Sequence, residues 1–71
     1  MNKKQYVMFK SYSHIYHHFK ITAAVELHRI LTEYGIGREY HYERGHLIHD
    51  ESRFTLFLLE CSHCIALISY E

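Results

Sequence analysis

The sequence predicts an α+β fold: one long helix packed on a mostly antiparallel sheet of three to four strands, in the order β-α-β-β-β. Three observations lead there. Apolar residues recur at helical spacing only between His14 and Tyr34. Shorter segments on either side alternate or run apolar, as strands do. The chain has 71 residues, 48% of them hydrophobic, with no proline and three glycines. That is one domain with one core, and nothing in it reads as a linker or repeat.

Gln5–Tyr12 reads as the first strand, because Val7 and Phe9 alternate with Met8 and Lys10. Ser13 is a candidate N-cap, its hydroxyl able to accept from a free N–H of the first helical turn. In a helix over 14–34, Phe19, Ala23, Leu27, Ile30, Leu31 and Tyr34 share a face that should lie on the sheet. Gly35 follows as the residue that closes the helix in a left-handed conformation. Arg38–Glu43 alternates, with Tyr40 and Tyr42 on one side and Glu39, His41 and Glu43 on the other. Arg44-Gly45 is a candidate two-residue turn, and His46–His49 the returning strand. Asp50-Glu51-Ser52 reads as a second turn. Arg53–Glu60 is apolar on both sides and reads as a central, doubly covered strand. Cys64–Tyr70 continues it or returns from a turn at 61–63. The leucine content of this region also permits a buried helix.

Eight Lys and Arg balance eight Asp and Glu, and the basic residues are dispersed. Nucleic-acid binding relies on clustered positive charge, so the balance argues against it. The lack of net repulsion favours self-association or a protein partner. The stretch 54–70 carries Glu60 and His63 near its middle, which argues against a membrane span. The start Met-Asn-Lys-Lys-Gln-Tyr lacks the apolar run of a signal peptide. The expected setting is therefore the cytoplasm, with both cysteines as thiols or metal ligands.

Eight residues are histidine, and they cluster. His14, His17, His18 and His28 fringe Ile21 and Val25 on the side of the long helix that should face water. Read as a heptad, positions 14, 17, 21, 24, 28 and 31 form a seam of His, His, Ile, Ala, His and Leu. The plain reading is a surface helix with two stray apolar residues. The functional one is a homodimer seam or docking face that loosens in acid as the histidines charge. Tyr40 and Tyr42 either cover the helix from below or, if exposed, serve as interface anchors.

His46-x-x-His49 and Cys61-x-x-Cys64 together hold four side chains of the kind that bind zinc. Residues three apart on a strand point to opposite faces, so each pair needs a turn or bulge to converge. The alternative is buried thiols with surface histidines and no cofactor. Cys61 or Cys64 with His63 and Asp50 can be written as a nucleophile, base and orienter. Nothing in the spacing requires that, and the chain is read as a non-enzyme. A redox role is disfavoured because no helix follows the CxxC.

Tyr6-Val-Met-Phe-Lys-Ser, then Leu31-Thr-Glu-Tyr-Gly-Ile36, then Cys64-Ile-Ala-Leu loosely resemble the small sulfur- or selenium-carrier-like domains. Those run strand, helix, Gly-Ile, and a late cysteine before an apolar strand. The resemblance implies a carrier cysteine at Cys64. Here no glycine follows Cys64, the helix is longer and an extra hairpin intervenes, so no family is assigned.

The resulting expectation is a small module that binds another protein as a stand-alone inhibitor or adaptor of a larger complex. Its size and lack of catalytic signal suit phage or mobile-element proteins directed at host complexes. Its interface residues would be His14, His17, His18, Ile21, Val25, His28, Tyr40 and Tyr42.

Overall fold

A four-stranded antiparallel sheet carries three helices in the computed structural model, which describes residues 3–71. Met1 and Asn2 of the leader reading lie outside the described residues. The order is β1 (Gln5–Phe9), α1 (Tyr12–Phe19), α2 (Ala24–Glu33), β2 (Ile36–His41), β3 (Gly45–Ile48), α3 (Glu51–Cys61), a 3₁₀ turn (Ser62–Cys64) and β4 (Ile65–Tyr70). The sheet runs β2-β3-β1-β4. The α+β class holds, the first strand ends at Phe9 rather than Tyr12, which opens α1, a hairpin follows α2 and 65–70 is a strand; two elements differ outright.

The long helix is broken. Lys20 takes the left-handed conformation at φ 55°, and the Ile21 N–H bonds back to the Tyr16 carbonyl at 2.9 Å. This is a Schellman closure, with lysine where glycine is usual. The break explains the apolar residue on the outer side of the expected helix. A continuous helix would leave Ile21 wet; the bend after Phe19 turns it inward, where it is 7% exposed. A non-glycine residue at this position costs about 1 kcal/mol. Lys20 is exposed and makes no side-chain contact that the closure needs. Lys20→Gly should therefore stabilise the protein by about 1 kcal/mol, raising the thermal midpoint by roughly 4–8 °C. A midpoint that stays put or falls would contradict the left-handed assignment.

The expected strand 53–60 is helix α3. Asp50 caps it by accepting from the Arg53 N–H at 3.2 Å, and Glu51 adds negative charge to the first turn. Phe54, Phe57 and Cys61 then fall on one buried helical face. Leu56 and Leu59 lie outside, at 56% and 80% exposure. Thr55 is the only β-branched residue of the segment and its three leucines are good helix formers, so the strand preference of Phe54 and Phe57 does not prevail.

Smaller corrections concern the caps and turns. Ser11, not Ser13, precedes α1, and its hydroxyl meets His14 Nδ1 at 2.7 Å. The hairpin loop is Tyr42-Glu43-Arg44, closed by the Arg44 N–H on the His41 carbonyl at 3.2 Å. Gly45 begins β3 at φ +91°. Gly35 closes α2 as expected, at φ +71° with its N–H on Thr32.

All three helices cover one face of the sheet. Val7 and Phe9 of β1, Ile36 and Ile48 from the hairpin, and Ile15, Ile21, Leu27, Leu31, Phe54 and Phe57 form a single core with the two cysteines. The register defines the opposite face. Tyr6 pairs with Leu47 on β3 and Ser69 on β4, and Met8 pairs with Leu67. His41 joins them, its ring 5.9 Å from that of Tyr6. No helix among the described residues covers this second face. None is long and apolar enough to cross a membrane; 54–70 folds as helix, turn and strand.

Candidate functional site

The residues expected at an interface do not form one surface. The seam needs an unbroken helix, and the break at Lys20 removes it. Ile21 and Leu31 enter the core, while Val25 stays 74% exposed. His14, His17 and His28 are exposed and His18 is half-buried. Tyr40 lies on β2 and is 55% exposed. Tyr42 stands in the loop at 80% and stacks on His41 with ring centroids 4.9 Å apart. The two tyrosines therefore do not share a sheet face: Tyr40, across from His46, lies on the helix-bearing side beside Tyr12, and Tyr42 stands outside the sheet. An open groove of 810 Å³ runs along α1 from its first turn to its closure, lined by Tyr12, Tyr16, His17, Lys20 and Ile21.

The expected zinc set His46, His49, Cys61 and Cys64 is not brought together. His46 points into the core face, 6% exposed. Its Nδ1 lies 2.9 Å from the Gly37 carbonyl and its Nε2 2.7 Å from the Tyr12 hydroxyl. A carbonyl only accepts, so Nδ1 holds the proton and Nε2 accepts from Tyr12. The ring edge also meets Tyr40, with centroids 5.1 Å apart. His46 thus ties β3 to β2 and α1 as a satisfied structural histidine. His49, three residues on, leaves the sheet and pairs with Glu39 at 2.7 Å on the surface. That contact holds the Glu39 carboxyl below its usual range.

Burial pushes the His46 imidazole below the ordinary histidine value, against the opposing pull of the Gly37 hydrogen bond; His28 adds a small downward push. Unfolded histidine titrates near pH 6.5. Between the depressed folded value and that point, the unfolded chain binds more protons. The stabilisation is complete above about pH 6.5 and is lost as pH falls through the folded value. Denaturant midpoints measured from about pH 7 to pH 5 should fall, and His46→Gln should flatten the dependence. An unchanged slope in His46→Gln would assign the effect elsewhere.

The chemistry-bearing cluster lies at the end of α3. Cys61 and Cys64 are joined in a disulfide, both fully buried, which corrects the expectation of free thiols. The 3₁₀ turn between them is held by the Lys10 N–H on the Cys64 carbonyl at 2.9 Å. It presents His63 Nε2 4.0 Å from Cys61 Sγ. His18 reaches in from α1. Its ring is 5.3 Å from that of His63, and its Nε2 is 3.6 Å from Glu60 Oε1. One ligand atom from each of His18, Cys61 and His63 lies within 4.8 Å of the others. The CxxC with an internal histidine was visible in the sequence. His18 was not, because its approach depends on the packing of α1 against the turn, which no spacing encodes.

Two other arrangements fail on geometry. Asp50 caps the far end of α3, an 11-residue helix that spans about 16 Å. It therefore cannot orient His63 beside a cysteine nucleophile. Cys64 is buried and bonded to Cys61, whereas a carrier cysteine has to reach its partner.

Comparison with protein-family models, with curated proteins and with solved structures gives no match to this chain.

Proposed function

We propose that the chain works by binding protein, as a non-enzymatic adaptor or inhibitor that pairs with a second copy of itself through the open face of its sheet. One observation carries this reading: the face opposite the helices carries an apolar strip of Met8, Leu47 and Leu67 around the buried Tyr6, with Ser69 and His41 beside it. An antiparallel sheet covered on one side ordinarily alternates apolar inward with polar outward. Here Tyr6, Met8, Leu47 and Leu67 line the outward side of the three strands β3, β1 and β4. Leu67 is 52% exposed, and Met8 and Leu47 are partly exposed. Among the described residues no helix covers this strip.

The choice of a second copy rests on charge. Eight basic and eight acidic side chains leave no net repulsion between two copies at neutral pH. A face-to-face pair buries identical apolar strips against each other, the self-complementary arrangement of a two-fold dimer. In this reading the protein works in the cytoplasm, where reducing conditions open the Cys61–Cys64 bond.

Sedimentation of two single variants tests the reading. Leu67→Lys places a charge on the open face without emptying the core, and Val25→Lys does the same on α2. The wild type and Val25→Lys should sediment as dimers and Leu67→Lys as a monomer. A monomeric wild type, or a dimer broken by Val25→Lys and spared by Leu67→Lys, would overturn it.

A further inference from the structure

We infer that the reduced protein binds one zinc ion between α1 and the turn after α3, with Cys61, Cys64, His18 and His63 as ligands. Two thiolates and two imidazoles are a donor set that tetrahedral zinc takes. Zinc lies about 2.3 Å from sulfur and about 2.0–2.1 Å from nitrogen, so its ligand atoms stand roughly 3.3–3.8 Å apart. The structure already holds ligand atoms of His18, Cys61 and His63 within 4.8 Å of one another, and Cys61 Sγ lies 4.0 Å from His63 Nε2. Closing the remaining gap takes about 1 Å of side-chain rotation, and His63 is exposed. The Cα atoms of Cys61 and Cys64 are 5.7 Å apart, so the second sulfur stays beside the first once the bond opens. With His18 Nδ1 on the metal, Glu60, at 3.6 Å from His18 Nε2, would orient the imidazole through its other nitrogen, as carboxylates do for metal-bound histidines.

The site is gated by the redox state of the pair. Two thiols of a reducing pool give up two electrons and two protons and form their own disulfide. The Cys61–Cys64 bond breaks and each sulfur takes one proton. Zinc binding then displaces those two protons, leaving two thiolate ligands. In the oxidised protein both sulfurs are committed to each other and the site has only imidazoles. The two states also differ mechanically. The disulfide closes a loop with only Ser62 and His63 between its ends, whereas the metal fastens α1 to the end of α3.

The test uses the full chain, reduced with a phosphine under inert gas and freed of it, with Zn²⁺ or Co²⁺ alone as the probe. The reduced wild type should retain one metal per chain, and its cobalt form should show tetrahedral thiolate absorption. The oxidised protein should retain none. His63→Asn and His18→Asn should each weaken binding at least about tenfold, since loss of mere outer-shell partners already costs 10–100-fold. His49→Asn should bind as wild type does. Exposed His63 can be replaced without disturbing the core, so its variant remains decisive if His18→Asn fails to fold. No stoichiometric metal in the reduced wild type, octahedral cobalt, or undiminished affinity in His63→Asn would overturn the assignment.

Discussion

Phe57→Ala is expected to remove a third or more of the protein's folding stability at 25 °C. Phe57 is fully buried, and its ring meets those of Phe9, Phe19, Tyr34 and Phe54 at centroid distances of 5.4–6.3 Å. It is therefore the point where β1, α1, α3 and the residue that caps α2 share one contact. Truncating a buried phenylalanine to alanine costs about 3–5 kcal/mol through lost transfer energy and the cavity left behind. A chain this short has a total stability of roughly 4–10 kcal/mol, so the loss takes a third or more of it. Far-UV circular dichroism with urea titration measures this directly. Phe57→Leu keeps most of the volume and should cost less than about 1.5 kcal/mol. A mild effect of Phe57→Ala would mean that 51–61 does not pack as the helix described. In the strand expected from sequence, Phe57 sits on the face opposite Phe54.

Gly35→Ala should cost about 3 kcal/mol, far above an ordinary surface substitution. Two separate costs meet there. The residue sits at φ +71°, where a side chain costs about 1–2 kcal/mol. A Cβ would also run into the carbonyl oxygen and Cβ of Asp50. The Gly35 carbonyl accepts from the N–H groups of His49 and Asp50, at 2.7 and 3.1 Å. Relieving the clash would pull apart the junction that starts α3. Asp50 is the cap of that helix, so the damage spreads from one loop to another. Gly35→Asn separates the two costs, because asparagine tolerates the left-handed conformation but brings the same Cβ. It should recover only part of the loss. Full recovery would show that Asp50 does not approach so closely.

The strands were legible because their signals are local. Val7 and Phe9 against Met8 and Lys10, the alternation after Arg38, and Gly35 at a helix end each speak within a few residues. The helix break was half legible. Ile21 and Val25 on a face that should be polar marked an inconsistency, and the sequence offered a dimer seam as its resolution. The fold resolves it for Ile21 by bending the chain and leaves Val25 exposed, and Lys20 gave no warning because glycine is the usual sign of such a bend. α3 was misread because Phe54–Leu59 is apolar in both periods. Its deciding signal, Asp50 with Glu51 ahead of an apolar run, also spells a turn. The metal candidates followed the same rule. Cys61, His63 and Cys64 are neighbours in sequence, whereas His46 was only a plausible companion and proved to be a core hydrogen-bonding residue. His18 joins the cluster through tertiary packing alone.

The histidine bias therefore has two structural meanings. His46 is buried and neutral, and makes the fold weaker in acid. His18 and His63 flank a cysteine pair whose oxidation state decides whether a metal can be held. Neither depends on the open sheet face, so the dimer and the zinc site can fail separately.

The proposal that the open face is covered by a second copy is tested most directly by hydroxyl-radical footprinting across a dilution series. Met8 and Leu67 should become protected as protein concentration rises, while Val25 and Leu59 react equally throughout. Equal reactivity of Met8 and Leu67 at every concentration, or protection confined to Val25 or Leu59, would contradict it.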